Sequence, residues 1–218
     1  MDFAKAFSYV FEDPDWVKKV AILALVSLIP FVGAIVVLGW SLEVTRRIIQ
    51  RDPTPLPDLD FGQQLGLGFR GFVVGLVYAI PVILLELPIL IGSSVLENGG
   101  GSDAAYNAFG ALAVCCGGLV VLYALFLAVV LPAAHGNFVA QNRLGAAFKL
   151  GEVIGLVRAN PGAYLLTLLG VMLAGLIASF GTVACVIGII FTSAYAFAVQ
   201  GHLYGQAYLA AVRNQAYH

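Results

Sequence analysis

Long apolar stretches separated by short polar segments run through most of this 218-residue chain. A helix needs roughly 20 mostly apolar residues to cross the hydrocarbon core of a bilayer. Four stretches satisfy this requirement, and they are Phe72–Ile91, Phe109–Leu131, Ala163–Ser179 and Thr182–Val199. Only two residues separate the last two stretches. The pattern therefore predicts an all-α, polytopic membrane protein whose C-terminal part contains a helical hairpin.

A fifth apolar stretch, Val20–Trp40, contains Pro30 and Gly33 in its middle. Proline removes a backbone hydrogen-bond donor, and glycine permits a turn. Each half is apolar for only about 12 residues, which is about 18 Å of helix. We expect a second helical hairpin, bent near Pro30–Gly33, which gives six membrane-inserted helices in all. A single bent span is the alternative that the pattern leaves open.

Composition indicates a membrane protein, and the distribution of charge favours the hairpin over the single span. Hydrophobic residues make up 61% of the chain and charged residues 11%, whereas a soluble domain is about half apolar and a quarter charged. Cytoplasmic loops of membrane proteins carry an excess of Lys and Arg. The eleven basic residues form four groups: Lys5, Lys18 and Lys19; Arg46, Arg47, Arg51 and Arg70; Arg143, Lys149 and Arg158; and Arg213.

The hairpin places all four basic groups on one side of the membrane. A single span at Val20–Trp40 would put the first two groups on opposite sides. We therefore expect a multi-pass protein of the cytoplasmic (inner) membrane with both termini, Arg51–Arg70 and Gln141–Arg158 in the cytoplasm. The acidic segment Gly92–Asn107 is then external.

Residues 1–50 and 145–206 resemble each other weakly. Each has a short amphipathic stretch, then Asp or Asn, Pro and an aromatic residue, and then a hairpin. Asp or Asn suits a helix N-cap, Pro suits the first turn, and aromatic residues suit the membrane interface. We expect one membrane domain, 1–218, in which spans 72–91 and 109–131 join this pseudo-repeat. The expected helix-start and interface residues are Asp13, Pro14 and Trp16, and Asn160, Pro161 and Tyr164.

Several motifs follow one another in a fixed order along most of the chain. They are Phe11–Lys19 (FEDPDWVKK), Leu28–Gly33 (LIPFVG), Glu43–Arg47 (EVTRR), Pro55–Asp58 (PLPD), Asn160–Gly162 (NPG) and Gly201–Tyr208 (GHLYGQAY). In these motifs the chain resembles the DUF4013 family of small prokaryotic membrane proteins. The resemblance implies a polytopic helical membrane protein of a bacterium or archaeon. It implies no catalytic residue, because the family has no established activity.

Glu86 is an ionisable residue within a predicted span, between Pro81 and Pro88. An ionisable group is costly in the bilayer, and neighbouring prolines free backbone carbonyls. Glu86 is therefore a candidate for cation binding or proton relay. The alternative is a position near the outer interface, since Ile91 lies only about 8 Å further along the helix.

Two polar clusters follow the predicted hairpins on the cytoplasmic side. Glu43 has Arg46 and Arg47 at i+3 and i+4, and His202 has Gln206 at i+4. We expect the two clusters to face each other and to form hydrogen bonds that join the hairpins. A substrate or lipid-headgroup site is the alternative.

Three small-x3-small patterns allow close approach between membrane helices. They are Gly71-x3-Gly75, Gly170-x3-Ala174 and Gly201-x3-Gly205. The sequence leaves open whether they pack within the monomer or against a partner.

No pattern in the sequence indicates an enzyme. No second His or Cys lies at metal-ligand spacing from His202, and nucleotide-binding, metalloprotease and nucleophile-elbow motifs are absent. The net charge of −1 does not favour nucleic acid. We expect no metal, no cofactor and no enzymatic activity. The expected partners are the lipid bilayer and other membrane-protein subunits or a second copy. An accessory, assembly or membrane-organising role is favoured, and a small transporter or channel that uses Glu86 is the alternative.

Overall fold

The computed structural model describes residues 1–99 and 101–216, except for the side chains of residues 184–187. The described residues form helices and contain no strand, so the all-α prediction is confirmed. Eight α-helices and three 3₁₀ turns are described. In chain order they are α1 (Phe3–Ser8), a turn (Tyr9–Glu12), α2 (Trp16–Ser27), α3 (Val32–Gln50), α4 (Phe61–Gly99), α5 (Asp103–Gln141), a turn (Leu144–Phe148), α6 (Leu150–Ala159), α7 (Pro161–Phe180), a turn (Gly181–Ala184) and α8 (Cys185–Gln215).

Three of the described helical segments are long and apolar enough to cross a membrane. They are α4, α5 and Pro161–Val183, with mean hydropathies of 2.4, 2.7 and 2.1. The predicted count of six is therefore not shown. Helix α2 has only 12 residues, and α3 ends in the charged segment Glu43–Arg47. Neither helix provides a long apolar segment of the length that a span requires.

The chain divides into two compact units. Unit two is Gly75–Ala128, in which the second part of α4 pairs with the first part of α5. The Tyr123 hydroxyl donates a hydrogen bond of 3.0 Å to the Tyr78 carbonyl. Unit two contains three acidic residues and no Lys or Arg.

Unit one contains residues 1–74 and those from 129 onward, and α8 contacts most of its other helices. Helices α3 and α8 run parallel. The Ser41 hydroxyl donates to the Phe197 carbonyl at 2.8 Å, and the Thr45 hydroxyl donates to the Gly201 carbonyl at 3.0 Å. Both bonds join residues 156 positions apart, so the register between the two helices is constant. All eleven Lys and Arg residues of the chain belong to unit one.

The predicted interruption near Pro30–Gly33 is present as a tight turn between α2 and α3. The Val32 N–H bonds the Pro30 carbonyl at 2.6 Å, and Phe31 has a φ of 59°. A Cβ on Gly33 would lie 2.3 Å from the Val26 carbonyl oxygen, so only glycine fits there. Buried residues of both helices belong to one core cluster, which shows that α2 and α3 fold back on each other. From α2 these include Val20 and Leu23, and from α3 Val37 and Trp40.

The predicted start of α7 is confirmed. Pro161 is its first residue, and the Asn160 side chain accepts a hydrogen bond of 3.1 Å from the Ala163 N–H. Tyr164 is fully buried in unit one, and its expected position at the membrane interface stays a prediction. It belongs to the buried face of α7, together with Thr167 and Gly170 at helical spacing.

The predicted start of α2 is only partly right. The helix begins at Trp16, but its N-cap residue is Asp15, which makes no side-chain capping bond. Asp13 instead accepts a hydrogen bond of 2.8 Å from the Asp15 N–H and pairs with Lys19 at 2.7 Å. It therefore stabilises the turn containing Pro14 rather than the first turn of the helix. The Trp16 ring lies edge-on to Phe11, with ring centroids 5.0 Å apart.

Candidate functional site

Glu43 is buried and is neutralised by arginines of its own helix. One carboxylate oxygen lies 3.4 Å from Arg47 Nε. The other lies 2.5 Å from an Arg46 nitrogen, in an ion pair that lacks hydrogen-bond geometry. Arg47 also donates a hydrogen bond of 3.0 Å to the Thr54 carbonyl. This cluster therefore attaches the loop between α3 and α4 to the end of α3.

His202 and Gln206 attach the N-terminal segment to α8. Gln206 Nε2 donates to the Asp2 carbonyl and to His202 Nδ1, both at 3.0 Å, and Gln206 Oε1 accepts from the Asp2 N–H at 2.7 Å. Because His202 Nδ1 accepts, the ring carries its proton on Nε2. The ring stacks on Tyr9 with centroids 4.3 Å apart.

The environment of His202 keeps its ring neutral near pH 7. His202 lies three residues beyond the apolar stretch that ends at Val199. Burial, aided by the positive charge of Lys5, lowers the pKa of His202 to about 4. The negative charges of Asp2 and Glu12 oppose this shift but do not cancel it.

The predicted hydrogen bonds between the two polar clusters are wrong. Among the described residues, no hydrogen bond or ion pair joins Glu43, Arg46 or Arg47 to His202 or Gln206. The α3 face that meets α8 is instead formed by small hydroxyl residues, Ser41 and Thr45. Glu43 lies two residues from each of them, which places it on a different side of the helix. The hairpins are joined by hydroxyl-to-carbonyl bonds and by the glycines of α8.

Two of the three small-x3-small patterns pack within the monomer. A Cβ on Gly201 would lie 2.3 Å from the Ser41 carbonyl oxygen, and one on Gly205 would lie 2.6 Å from Ile48 Cβ. A Cβ on Gly170 would lie 2.6 Å from a Leu203 methyl group. In the Gly71-x3-Gly75 pattern, only Gly71 meets a neighbour within 4 Å.

Some of the predicted residues surround a polar cavity of about 360 Å³ in unit one. The N-terminal segment, the loop after α3 and α8 line it, and Asp13, Pro14 and His202 are among the lining residues. Most of its charges already have partners within the chain. Lys5 pairs with Glu12, and the Asp52 carboxylate accepts hydrogen bonds from Thr54. These internal partners leave little charge in the cavity to bind an ion.

The carboxylate of Asp13, which lines the same cavity, is held by its partners. Burial raises its pKa, but the Lys19 ammonium and the Asp15 N–H outweigh that effect and leave the pKa below its usual value. The carboxylate is therefore ionised and already neutralised by Lys19. Its role in the fold is structural.

Glu86 is exposed on the surface of α4 in unit two. Its neighbours on the same helix face, Ile83 and Leu90, are exposed apolar residues. In the part of the chain that the structure describes, Glu86 makes no hydrogen bond or ion pair, and it lines none of the three cavities of about 440, 230 and 360 Å³. Glu86 belongs to unit two, whereas the residues of the other predicted clusters belong to unit one.

The sequence analysis missed a polar network at the end of α5. One Glu152 oxygen accepts from Asn137 at 3.1 Å and from Gln141 at 2.9 Å, and the other accepts from Lys149 at 2.8 Å. These bonds lower the pKa of Glu152 to about 2. The signal that points to the network is the i,i+4 pair of amides after a long apolar stretch. No group of three or more potential metal ligands occurs among the described residues.

The described residues form an all-α fold in which three helical segments are long and apolar enough to cross a membrane. A family model described as "Protein of unknown function (DUF4013)" matches residues 22–187, which is most of the chain, and the protein therefore belongs to this family. No curated protein and no solved structure matches the chain.

Proposed function

We propose that this protein is a multi-pass protein of the cytoplasmic membrane that acts by binding other membrane components, as an accessory, assembly or membrane-organising subunit. The distribution of charge supports this topology. Every Lys and Arg lies in unit one, whereas unit two carries only Glu86, Glu97 and Asp103. Basic residues mark the cytoplasmic side of membrane proteins. Both termini and the loops 51–70 and 141–158 are then cytoplasmic, and the segment 92–107 is external.

The exposure of Glu86 is the observation that carries the binding role. A transport path that uses Glu86 requires a polar cavity that reaches its carboxylate. The carboxylate lies instead on an open apolar helix surface. An ionisable group in that setting is costly in lipid, and a hydrogen-bond donor on a second membrane helix would remove that cost. The geometry therefore favours association over transport.

Cysteine labelling tests the topology. In a variant with Ala at Cys115, Cys116 and Cys185, single cysteines are introduced at Thr54 and Ser102. We expect a membrane-impermeant maleimide to label intact cells at position 102, and to label position 54 only after permeabilisation. Labelling of a cysteine at Ala4 from the same side as position 102 would contradict the proposed arrangement.

A cross-linking experiment tests the binding role. A photo-reactive amino acid at Ile83 or Leu90 flanks Glu86 on the same helix face. We expect a discrete protein adduct in native membranes that weakens in the Glu86→Gln background. The control position is Val121, an exposed apolar residue of α5. Flux of a cation or proton in proteoliposomes that Glu86→Gln abolishes would reject this proposal in favour of transport.

A further inference from the structure

A second cavity of unit one lies where the C-terminal ends of α3 and α8 come together, and its volume is about 440 Å³. The 156-residue register between the two helices aligns Gln50, the last residue of α3, with Gln206 of α8. Helix α8 continues to Gln215. The additional residues extend about 13 Å past the end of α3, because an α-helix rises 1.5 Å per residue. This extension provides one wall of the cavity.

The charged residues that line this cavity are both arginines, Arg51 and Arg213. Both are exposed, and within the described part of the chain neither side chain forms a hydrogen bond or an ion pair. Five other basic residues of unit one form ion pairs within the chain, as Lys19 does with Asp13. Two guanidinium groups beside a cavity with no acidic lining residue among those described form a suitable site for an oxyanion, because guanidinium binds phosphate and carboxylate through paired hydrogen bonds.

The backbone of Arg51 indicates that its side chain matters. Arg51 has φ 58° and ψ 38°, the left-handed conformation that follows many helices and that is usually occupied by glycine. Its N–H bonds the Ile48 carbonyl at 3.1 Å, and the Asp52 N–H bonds the Arg47 carbonyl at 2.9 Å. The helix end is therefore capped by backbone groups alone. Glycine would serve this turn at lower conformational cost, so the turn itself does not explain the arginine.

The remaining lining residues show which oxyanion fits. Leu209, Ala210 and Val212 give the cavity an apolar side, and Gln206 is already engaged by Asp2 and His202. A free inorganic ion has no apolar group that could contact this side of the cavity. A phospholipid presents a phosphate together with a glycerol backbone and the first methylenes of its acyl chains.

We propose that this cavity binds the headgroup of an anionic phospholipid of the cytoplasmic leaflet. Arg51 and Arg213 donate hydrogen bonds to the phosphate oxygens, and Leu209 and Val212 contact the glycerol and the first methylenes. The assignment of the leaflet rests on the topology proposed above, whereas binding of the headgroup itself does not.

Lipid binding is measured with the purified full chain in a neutral detergent, by native mass spectrometry and thermal unfolding. The probes are phosphatidylglycerol, phosphatidylcholine and glycerol 3-phosphate. Arg51→Gly combined with Arg213→Gln removes both guanidinium groups, and the glycine suits the left-handed turn. The matched control is Arg143→Gln with Arg158→Gln, which changes the charge equally at two exposed arginines that do not line the cavity.

We expect phosphatidylglycerol to bind and to raise the melting temperature, and phosphatidylcholine to do neither. The cavity variant should bind phosphatidylglycerol about tenfold or more weakly, as expected when two cationic contacts are lost, and the control should bind within about twofold of wild type. Equal loss in both variants, or no preference over phosphatidylcholine, would overturn the proposal. If glycerol 3-phosphate binds as tightly as phosphatidylglycerol, the ligand of the cavity is a soluble phosphate ester and the lipid proposal is overturned. Because this assay needs no intact cell, its failure is separate from failure of the proposed topology.

Discussion

Substitution of Gly201 by alanine tests the contact that joins the two hairpins. A Cβ at this position would lie 2.3 Å from the Ser41 carbonyl oxygen and 2.9 Å from Val44 Cβ. Both atoms belong to the rigid part of α3, so neither can move aside without a shift of the helix. We therefore expect α3 and α8 to separate. Separation weakens the hydrogen bonds from the Ser41 and Thr45 hydroxyls to carbonyls of α8.

The contributions can be added for this one substitution. Overpacking of a close contact costs about 1–3 kcal/mol. Interhelical hydrogen bonds in membrane proteins contribute about 0.6 kcal/mol each, and two are weakened here. Replacing glycine by alanine inside a helix returns about 0.5–1 kcal/mol. The sum predicts a loss of about 1–4 kcal/mol, or a decrease in melting temperature of about 2–16 °C for a chain of this size.

Thermal unfolding in detergent, followed by far-UV circular dichroism, measures this change. The matched control is Gly175→Ala in α7, where a Cβ meets no atom within 4 Å. We expect the control to be neutral or slightly stabilising, because only the helix propensity changes there. Thr45→Val removes one of the two hydrogen bonds while leaving the glycine in place, and should cost about 1 kcal/mol or less. If Gly201→Ala and Gly175→Ala have the same melting temperature, the close contact of α3 and α8 does not hold the hairpins together.

Three further predictions concern caps and protonation. Asn160→Ala removes the capping bond to the Ala163 N–H and should cost about 1 kcal/mol in thermal unfolding; an unchanged melting temperature would contradict the cap. Because the folded-state pKa of His202 is about 4 and lies below the ordinary histidine value of 6.5, the unfolded chain binds more protons between these values. Stability should therefore be complete above about pH 6.5 and fall toward pH 4, and His202→Phe should flatten this part of the pH profile. Glu152 has a folded-state pKa of about 2, below the ordinary glutamate value of 4.5, so its contribution to stability should be present above about pH 4.5 and lost on acidification toward pH 2. A Glu152→Gln variant with an unchanged pH–stability profile in that window would argue against the network with Asn137.

The features that the sequence predicted correctly have local causes. The turn between α2 and α3 forms where Pro30 lacks a backbone donor and where Gly33 has no Cβ, which would lie 2.3 Å from the Val26 carbonyl oxygen. Asn160 and Pro161 start α7 because each suits its position in the first turn. None of these residues needs a distant partner for its effect. Such signals can be recognised from a few neighbouring residues.

The prediction that the two polar clusters form hydrogen bonds with each other was wrong because it depended on which side of α3 faces α8. Glu43 was expected to reach across to His202, but its own helix supplies Arg46 and Arg47 at the spacing that neutralises it. The residues that do reach α8 are Ser41 and Thr45, whose short side chains work only where the backbones approach closely. Gly201 provides that approach. The hydroxyls of Ser41 and Thr45 and the absence of a side chain at Gly201 together form the contact between α3 and α8. Neither feature, read alone from the sequence, predicts that contact.

The polar groups that the fold leaves without partners are the ones available to another molecule. In unit one, the charges of Glu43 and Glu152 are neutralised by basic residues of the same chain, so they have little capacity to bind a ligand. Among the described groups that have no such partner, Glu86 lies on an apolar surface of unit two, and Arg51 and Arg213 lie beside a cavity of unit one. The acid would favour a hydrogen-bond donor on a second membrane helix, whereas the arginines would favour a phosphate. The two sites carry opposite charges and suit different chemical groups, so the proposed partner and the proposed lipid would be recognised by separate surfaces. The Glu86 variant should therefore affect partner binding alone, and the arginine variant should affect lipid binding alone.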